Sequence, residues 1–397
     1  MLKGKRIVLG VSGGIAAYKM ANVASMLVKL NADVHVVMTE AATHFITPET
    51  FEVLTNNRCY TDIFDRGMEL HVPHVTLGTT ADAFLIAPAT ADVIGKIANG
   101  IADDMLTTTV LPAKCPVIIA PSMNVNMLEN PIVQDNIKKL SSYGYEIIDS
   151  DEGYLACRAT GKGKLPKEEV LVDYILRACA KEKDLQGKKV LVTAGPTQEA
   201  IDPVRYITNH STGKMGYALA KMAMLRGADV TLVTGETSIT PPSFVEVVNI
   251  KSAKDMFDAV TSRSDSQDII IKSAAVADYR PINVADNKIK KTEGNMSIPL
   301  ERTDDILSYL GQHKKEGQFI CGFSMETENM LENSRKKLEK KKVDMIAANN
   351  LKVEGAGFGT DTNIMTLITK DSCDELPILT KDEVADIILS KIVSMGI

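Results

Sequence analysis

The feature that most constrains this chain is one strand–turn–helix–strand pattern that occurs in both halves. The first copy opens with Gly4-Lys5-Arg6-Ile7-Val8-Leu9-Gly10-Val11-Ser12-Gly13-Gly14, the second with Gly187-Lys188-Lys189-Val190-Leu191-Val192-Thr193-Ala194-Gly195. Each apolar run has the length of a buried strand, breaks at glycine and is followed by a helical pattern. Each helix then leads into a second apolar run, at 32–37 and 228–233. Two βαβ units predict an α/β chain with two doubly wound, mostly parallel, Rossmann-like sheets. The copies differ in one respect. Ile7 and Val34 are 27 positions apart, Val190 and Val230 are 40 apart, so the second strand-to-helix connection carries 13 extra residues.

At 397 residues the chain exceeds a typical single core. The domains are read as 1–180 and 189–397, with the charged stretch 181–188 as linker. A net charge of −6 argues against a nucleic-acid partner held by a broad basic field. Six cysteines (59, 115, 157, 179, 321 and 373) include no C-x-x-C pair, which disfavours a zinc ribbon, a redox motif and a disulfide scaffold. No apolar run reaches membrane-spanning length and the N-terminus leads straight into a strand, so a cytoplasmic protein with no membrane partner is expected.

In the first half, strands are expected near 6–11, 33–38, 83–87, 116–120 and 145–148, with helices near 15–30, 90–98, 130–142 and 167–180. Residues 150–166 read as a glycine-rich loop long enough to act as a lid. In the second half, strands are expected near 189–194, 229–234, 244–248, 268–272, 318–322, 343–347 and 363–369, with helices near 328–341 and 381–394. In such sheets ligands gather at the carboxyl ends of strands, and there the unusual residues cluster.

Ser12-Gly13-Gly14 suits a phosphate at a helix start, or is a tight turn with no ligand. G-x-G-x-x-G cannot be laid on Gly10, Gly13 and Gly14, so a mononucleotide fits better than a dinucleotide. His71 and His74 lie in an expected loop with no third ligand at metal spacing, which disfavours zinc and leaves surface histidines as the plain reading. Asn124 and Asn126 follow a strand, where they bind a polar ligand or cap a turn. Cys157 in the expected lid is an acid, a nucleophile or only a loop cysteine.

The 13-residue insertion belongs to the stretch Ile201-Asp-Pro-Val-Arg205-Tyr-Ile-Thr-Asn209-His-Ser-Thr-Gly213-Lys-Met-Gly216. It is not a Walker loop, because Thr208 stands where the first glycine should be and Met215 replaces Ser/Thr. Gly213 and Gly216 open a helix that suits an anion, or that is merely capped by Ser211 or Thr212. Asp278 and Arg280 follow a strand and suit a nucleotide or metal, or form a surface pair. Lys288, Lys290 and Lys291 form a phosphate clamp or a solvated run. Lys337 and Lys341 share one helix face.

Taken together, these motifs carry a resemblance. Ser12-Gly-Gly-Ile-Ala-Ala-Tyr-Lys19, His74, Pro88-Ala-Thr-Ala-Asp92, Pro121-x-Met-Asn-x-x-Met127 and Leu155-Ala-Cys157 resemble the flavin-dependent cysteine decarboxylases. Ile-Thr-Asn209-x-Ser-x-Gly-Lys-Met-Gly, Ala-Ala-Val-Ala-Asp278-Tyr, Lys288-Ile-Lys-Lys and Gly322-Phe-Ser-x-Glu-Thr resemble, in order, the phosphopantothenate–cysteine ligases. Over nearly its whole length the chain resembles the bifunctional phosphopantothenoylcysteine decarboxylase / phosphopantothenate–cysteine ligase family of coenzyme A synthesis.

The resemblance implies a flavodoxin-like flavoprotein domain followed by a Rossmann-like ligase domain. It implies flavin mononucleotide (FMN) held by Ser12, Gly13, Gly14, Thr39 and Thr90. His74 is then the acid/base residue of the oxidation, Asn124 holds the substrate carboxylate, and Cys157 protonates the enethiol formed through a thioaldehyde. In the ligase half, 4'-phosphopantothenate is activated by CTP as an acyl-cytidylate, which cysteine attacks with release of CMP. Lys288 stabilises phosphate charge in the first step, Asn209 acts in the second, and Arg205 aids substrate binding. Ser273, Ala274, Asp278, Asp304, Asp305, Ile306, Leu307, Phe323, Lys337 and Lys341 contact the nucleotide or substrate. Magnesium accompanies the triphosphate, with Asp278 as its candidate ligand. The family assembles decarboxylase trimers and ligase dimers into a dodecamer. Leu128, Arg158 and Asp304 depart from the family pattern.

Two other classes fit the sequence less well. A dehydrogenase on the two βαβ units lacks the glycine fingerprint, and a non-catalytic flavoprotein scaffold is disfavoured by the intact His74, Asn124, Cys157, Asn209 and Lys288.

Overall fold

The computed structural model describes residues 1–64, 72–154, 160–290, 295–326, 330–350 and 359–397. The chain divides into two compact units, Met1–Lys181 and Glu182–Ile397.

The first unit runs β1 Arg6–Val11, α1 Met20–Lys29, β2 Asp33–Met38, α2 Glu40–Thr43, α3 Pro48–Thr55, β3 Cys59–Tyr60, α4 Pro73–Thr80, β4 Ala83–Ala89, α5 Ala91–Ala98, α6 Met105–Val110, β5 Val117–Pro121, α7 Val125–Leu128, α8 Pro131–Ser142, β6 Glu146–Ile147, β7 Asp151–Tyr154, β8 Thr160–Lys164 and α9 Glu168–Cys179. Its main sheet has the order β3-β2-β1-β4-β5-β6 with every neighbour parallel. All seven residues of β4 are buried, as are the five after Arg6 in β1. That is the signature of strands covered on both faces, and each large side chain so buried contributes about 1.5–3 kcal/mol.

Three local expectations are corrected. The helix expected over 15–30 begins as a 3-10 turn, Ile15–Lys19, before α1. The stretch with His74 is not a loop but the start of α4, with Pro73 at its first position. Val75, Thr76, Gly78, Thr79 and Thr80 are weak helix formers, and packing against α6 overrides that preference. The stretch 150–166 is not a plain loop: β7 and β8 pair antiparallel as a hairpin around residues 155–159.

The second unit runs β9 Lys189–Ala194, β10 Gln198–Ala200, β11 Tyr206–Thr208, α10 Lys214–Leu225, β12 Asp229–Thr234, β13 Glu246–Asn249, α11 Ala253–Ser264, β14 Ile269–Lys272, β15 Tyr279–Pro281, β16 Leu300–Arg302, α12 Ile306–Gln312, β17 Phe319–Glu326, α13 Met330–Lys341, β18 Met345–Asn350, β19 Thr362–Asn363, β20 Met365–Thr369, β21 Cys373–Glu375, β22 Leu379–Thr380 and α14 Lys381–Ser394. The eight-stranded sheet has the order β13-β12-β9-β14-β17-β18-β20-β21. It is parallel through β18, and β20 and β21 are antiparallel additions. Strand order reverses between β9 and β14, which places a ligand crevice at their carboxyl ends.

Ile270, Ile320 and Ile346 share one core with Met256 of α11, Ile306 and Leu310 of α12 and Leu338 of α13. Helix α10 packs on β9 and α14. The insertion noted in the sequence forms the β10–β11 hairpin. The stretch read as the linker carries packed residues: Leu185 is fully buried, its N–H donates to the Arg226 carbonyl (3.0 Å), and Asp184 pairs with Arg226.

Candidate functional site

In the first unit the expected flavin residues gather at one edge of the sheet. Ser12, fully buried after β1, donates from Oγ to the Pro88 carbonyl (2.6 Å) and accepts from the Thr90 N–H (3.1 Å). This ties the turn after β1 to the turn after β4. Gly13 lies hard on α2: a Cβ there would stand 2.5 Å from the Ala41 Cβ. Gly14 begins the 3-10 turn in extended conformation. Thr39 caps α2 by accepting from the Ala42 N–H (3.3 Å), and Thr90 caps α5 by accepting from the Val93 N–H (3.5 Å). Three helical segments therefore start around one point, where their free N–H groups favour an anion.

His74 is the second residue of α4 and is half-buried. Its Nδ1 is buried with no hydrogen-bond partner among the described residues. Because α4 returns to the start of β4, its own first turn points toward the carboxyl edge of the sheet. An orphaned ring nitrogen and a cradle of backbone donors fit a phosphate-bearing heterocycle.

Asn124 caps α7, its Oδ1 accepting from the Asn126 N–H (2.9 Å). The β7–β8 hairpin is anchored beside it: the Met123 N–H donates to the Gly163 carbonyl (3.1 Å), as does the Ser122 hydroxyl (3.3 Å). Cys157 and Arg158 belong to 155–159 and lie outside the described residues, as do His71 and Lys291. Leu128 is buried at the end of α7.

In the second unit a cavity of about 500 Å³ is lined by Asn209, Gly213, Ser273, Ala274, Asp278 and Phe323, among others. The fold thus joins the insertion, the turn after β14 and the end of β17, which are far apart in the chain. The Asn209 amide donates to the Ala275 carbonyl (3.1 Å). Helix α10 starts at Gly213 (φ +80°) with no side-chain cap, and the Ser211 hydroxyl accepts from the Gly213 N–H (3.3 Å). The start of α10 is thus set at a left-handed glycine, with Ser211 holding the N–H of that glycine. Asp278 is exposed, and no group of three or more His, Cys, Asp or Glu among the described residues is arranged to hold a metal.

Lys337 donates to the Phe323 carbonyl (3.1 Å), and Lys341 bonds the Asp305 carboxylate. Asp305 caps α12 by accepting from the Ser308 N–H (2.9 Å), with Asp304 just ahead of it. Ile306 and Leu307 are buried in the core, so only their backbone can meet a ligand.

Arg205 stands apart from this cavity. Its guanidinium holds the fully buried Asp202 carboxylate and donates to the Ile289 carbonyl (2.9 Å). It lines a second cavity of about 510 Å³ with Lys251, Lys254 and Arg280. Those Arg205 bonds hold the Asp202 carboxyl well below the usual carboxylate range. Lys288 is exposed, one residue before Ile289.

With this geometry in place, residues 1–180 match the flavoprotein family and residues 185–395 match the DNA/pantothenate metabolism flavoprotein C-terminal domain. The chain is 49% identical over 400 residues to the coenzyme A biosynthesis bifunctional protein CoaBC of Bacillus subtilis, covering 100% of this chain and 98% of that one. It is 44% identical over 393 residues to CoaBC of Vibrio vulnificus, covering 98% of each. The chain belongs to the CoaBC family. It is also 44% identical over 356 residues to a cysteine/cysteine sulfinic acid decarboxylase of an unknown prokaryotic organism, covering 88% of this chain and 99% of that one. No helix among the described residues is long and apolar enough to cross a membrane.

Set in the CoaBC framework, three residues that sequence reasoning missed stand out. Asp202 anchors Arg205 and also receives the Ile289 N–H (3.1 Å). Asn349 lines the 500 Å³ cavity with its buried Oδ1 unpartnered among the described residues. Lys272 closes β14, and burial with Lys337 nearby pushes its ammonium down to about 8. A lysine inside an otherwise apolar strand, Ile269-Ile270-Ile271-Lys272, was the one available signal.

Proposed function

We propose that this chain joins 4'-phosphopantothenate to cysteine in residues 189–397, using CTP, and decarboxylates the product to 4'-phosphopantetheine in residues 1–180. The observation that carries the reading is the cavity that unites Asn209, the Ser273–Asp278 turn and Phe323 in a chain similar to CoaBC from end to end.

In the ligase unit, substrate carboxylate attack on the nucleotide gathers negative charge, and Lys288 is the cation proposed to offset it. Its backbone neighbour Ile289 is held on both sides by the Asp202–Arg205 pair, which positions the lysine's strand of chain. Asn209, held by the Ala275 carbonyl, is proposed to orient the acyl-cytidylate for the cysteine amine. Magnesium, brought by the triphosphate, would neutralise phosphate charge, with Asp278 as the carboxylate at the cavity wall.

In the decarboxylase unit, Ser12, Gly13, Gly14, Thr39 and Thr90 are proposed to hold FMN, consistent with the flavoprotein match. Bound there, the flavin would take a hydride from the thiol-bearing carbon and return it after decarboxylation. His74 is proposed to move the proton through its unpartnered Nδ1 or the opposite ring nitrogen. Asn124 would hold the departing carboxylate, and Cys157, which lies between β7 and β8 in the sequence, is proposed as the proton donor. Trimers of the first unit and dimers of the second, combined in a cytoplasmic dodecamer, complete the proposal.

The deciding assay follows labelled 4'-phosphopantothenate with cysteine and CTP. Pyrophosphate and carbon dioxide released in equal amounts, with 4'-phosphopantetheine formed, is the expected result. Carbon dioxide from free cysteine without CTP would favour the second reading, suggested by the cysteine decarboxylase relative. Replacing Asn209 should let acyl-cytidylate accumulate. Unchanged carbon dioxide release in Cys157→Ser would remove that residue's role, and a protein that binds no FMN would remove the decarboxylase.

A further inference from the structure

The Lys272 side chain has no hydrogen bond or ion pair among the described residues, although it sits where the central strand of the second sheet ends. Its register partners are Thr193 on β9 and Gly322 on β17, so it stands beside the reversal point of the sheet. Two residues earlier, Ile270 faces α11, α12 and α13, and the pleat puts Lys272 on that same face. The neighbouring elements agree. A Cβ on Gly322 would stand 2.7 Å from a methyl of Leu307, so the first turn of α12 lies directly over that strand pair. Lys337 is bonded to Phe323, the residue after Gly322, and Lys341 to Asp305 at the head of α12.

Lys272, Lys337 and Lys341 therefore converge on one spot. The charges that act on Lys272 there are those two ammonium groups and the carboxylates of Asp305 and Asp278. Asp305 is already bonded to Lys341 and to the Ser308 N–H, and Asp278 is exposed. Three cations face two carboxylates, one of them already engaged by Lys341. A neutral base or sugar would leave that excess uncompensated, whereas a polyphosphate offsets it.

Resting on the ligase reading above, we infer that Lys272 is a third nucleotide-binding lysine, which meets the phosphate chain of the incoming nucleoside triphosphate and not its base. The role follows from convergence of the strand end with two helices, and it would make the site favour a triphosphate over the monophosphate product.

The test uses the full-length protein with Lys272→Met and Lys272→Arg. A charge-assisted hydrogen bond lost from Lys272→Met should raise KM for CTP by about tenfold or more. It should weaken inhibition by pyrophosphate to a similar extent and leave inhibition by cytidine and KM for 4'-phosphopantothenate unchanged. Lys272→Arg should recover most of the loss. In the wild-type protein, reductive methylation of Lys272, read by peptide mass, should be blocked by pyrophosphate and by CTP but not by cytidine. This last measurement holds even if a variant misfolds. Unprotected Lys272, or an unchanged KM for CTP in a folded Lys272→Met, overturns the inference. Cytidine protection would place Lys272 at the base and overturn it too. If the wild-type protein releases no pyrophosphate from CTP and 4'-phosphopantothenate, the ligase reading itself falls.

Discussion

Arg205 and Asp202 form a paired clamp inside the ligase insertion. Arg205 Nε donates to Asp202 Oδ2 at 2.9 Å, and the same oxygen accepts the Ile289 N–H at 3.1 Å. One buried carboxylate thereby holds both the insertion and the segment that carries Lys288. The bonds from Arg205 depress the Asp202 carboxyl. A depressed carboxyl contributes stability above its unfolded value of about 4 and loses it as pH falls through the folded value. The wild-type ligase unit should therefore lose stability below about pH 4, and Asp202→Asn should lose less over that interval. At neutral pH the variant should be less stable and its ligase turnover lower by about 10²-fold, the scale of a misplaced reacting group. Denaturation midpoints at neutral and acid pH check this, with pyrophosphate release alongside. Equal acid slopes in the two proteins would contradict it.

Gly13 and Gly14 are adjacent but should respond differently to alanine. A Cβ on Gly13 meets Ala41 at 2.5 Å, whereas the nearest atom to a Cβ on Gly14 is the Pro88 Cγ at 3.7 Å. Gly13→Ala should destabilise the first unit by about 1–3 kcal/mol through overpacking. Gly14→Ala should keep the fold and lower only flavin affinity, because the methyl group projects beside the proposed phosphate cradle. Thermal melting and flavin titration of both variants distinguish these outcomes.

His74→Asn should leave flavin binding intact and reduce carbon dioxide release by about 10²–10⁴-fold, the usual contribution of a general acid/base group. Flavin absorbance of the purified variant and a single-turnover decarboxylation assay measure the two effects separately. Loss of the flavin together with activity would make the residue structural.

Asp305 has two jobs that substitution separates. It caps α12 and binds Lys341. Asp305→Ala should cost about 1 kcal/mol of helix capping. Lys341→Ala keeps the cap and loses a partly solvated ion pair, which contributes little stability. Both should raise KM for CTP, but only the first should lower the melting temperature. A melting temperature lowered equally by the two variants would show that the ion pair, not the cap, holds α12 in place.

Most strands of both sheets were legible because buried parallel strands read as apolar runs, as at 83–87 and 190–194, whereas the short edge strands β3 and β21 gave no such run. The start of α4 was not, because Gly78 and its threonine neighbours do not favour a helix and only packing on α6 supports one. The β7–β8 hairpin was hidden by its glycines, which read as loop until its strands pair. Asn209, Asp278 and Phe323 were legible as motif residues, and the cavity does unite them. Asp202 carried no local signal, since its value to the site depends on Ile289, 87 positions away.

By itself the sequence determined two βαβ-based sheets, the family and the residue types offered to each site, because strand and helix periodicities are local properties of the chain. Only the tertiary structure decided which side chains meet. It brought Ile289 to the Asp202–Arg205 pair and set Lys272 beside Lys337 and Lys341. The physical reason is that these neighbours are created by long-range strand order and helix docking, which no local pattern encodes.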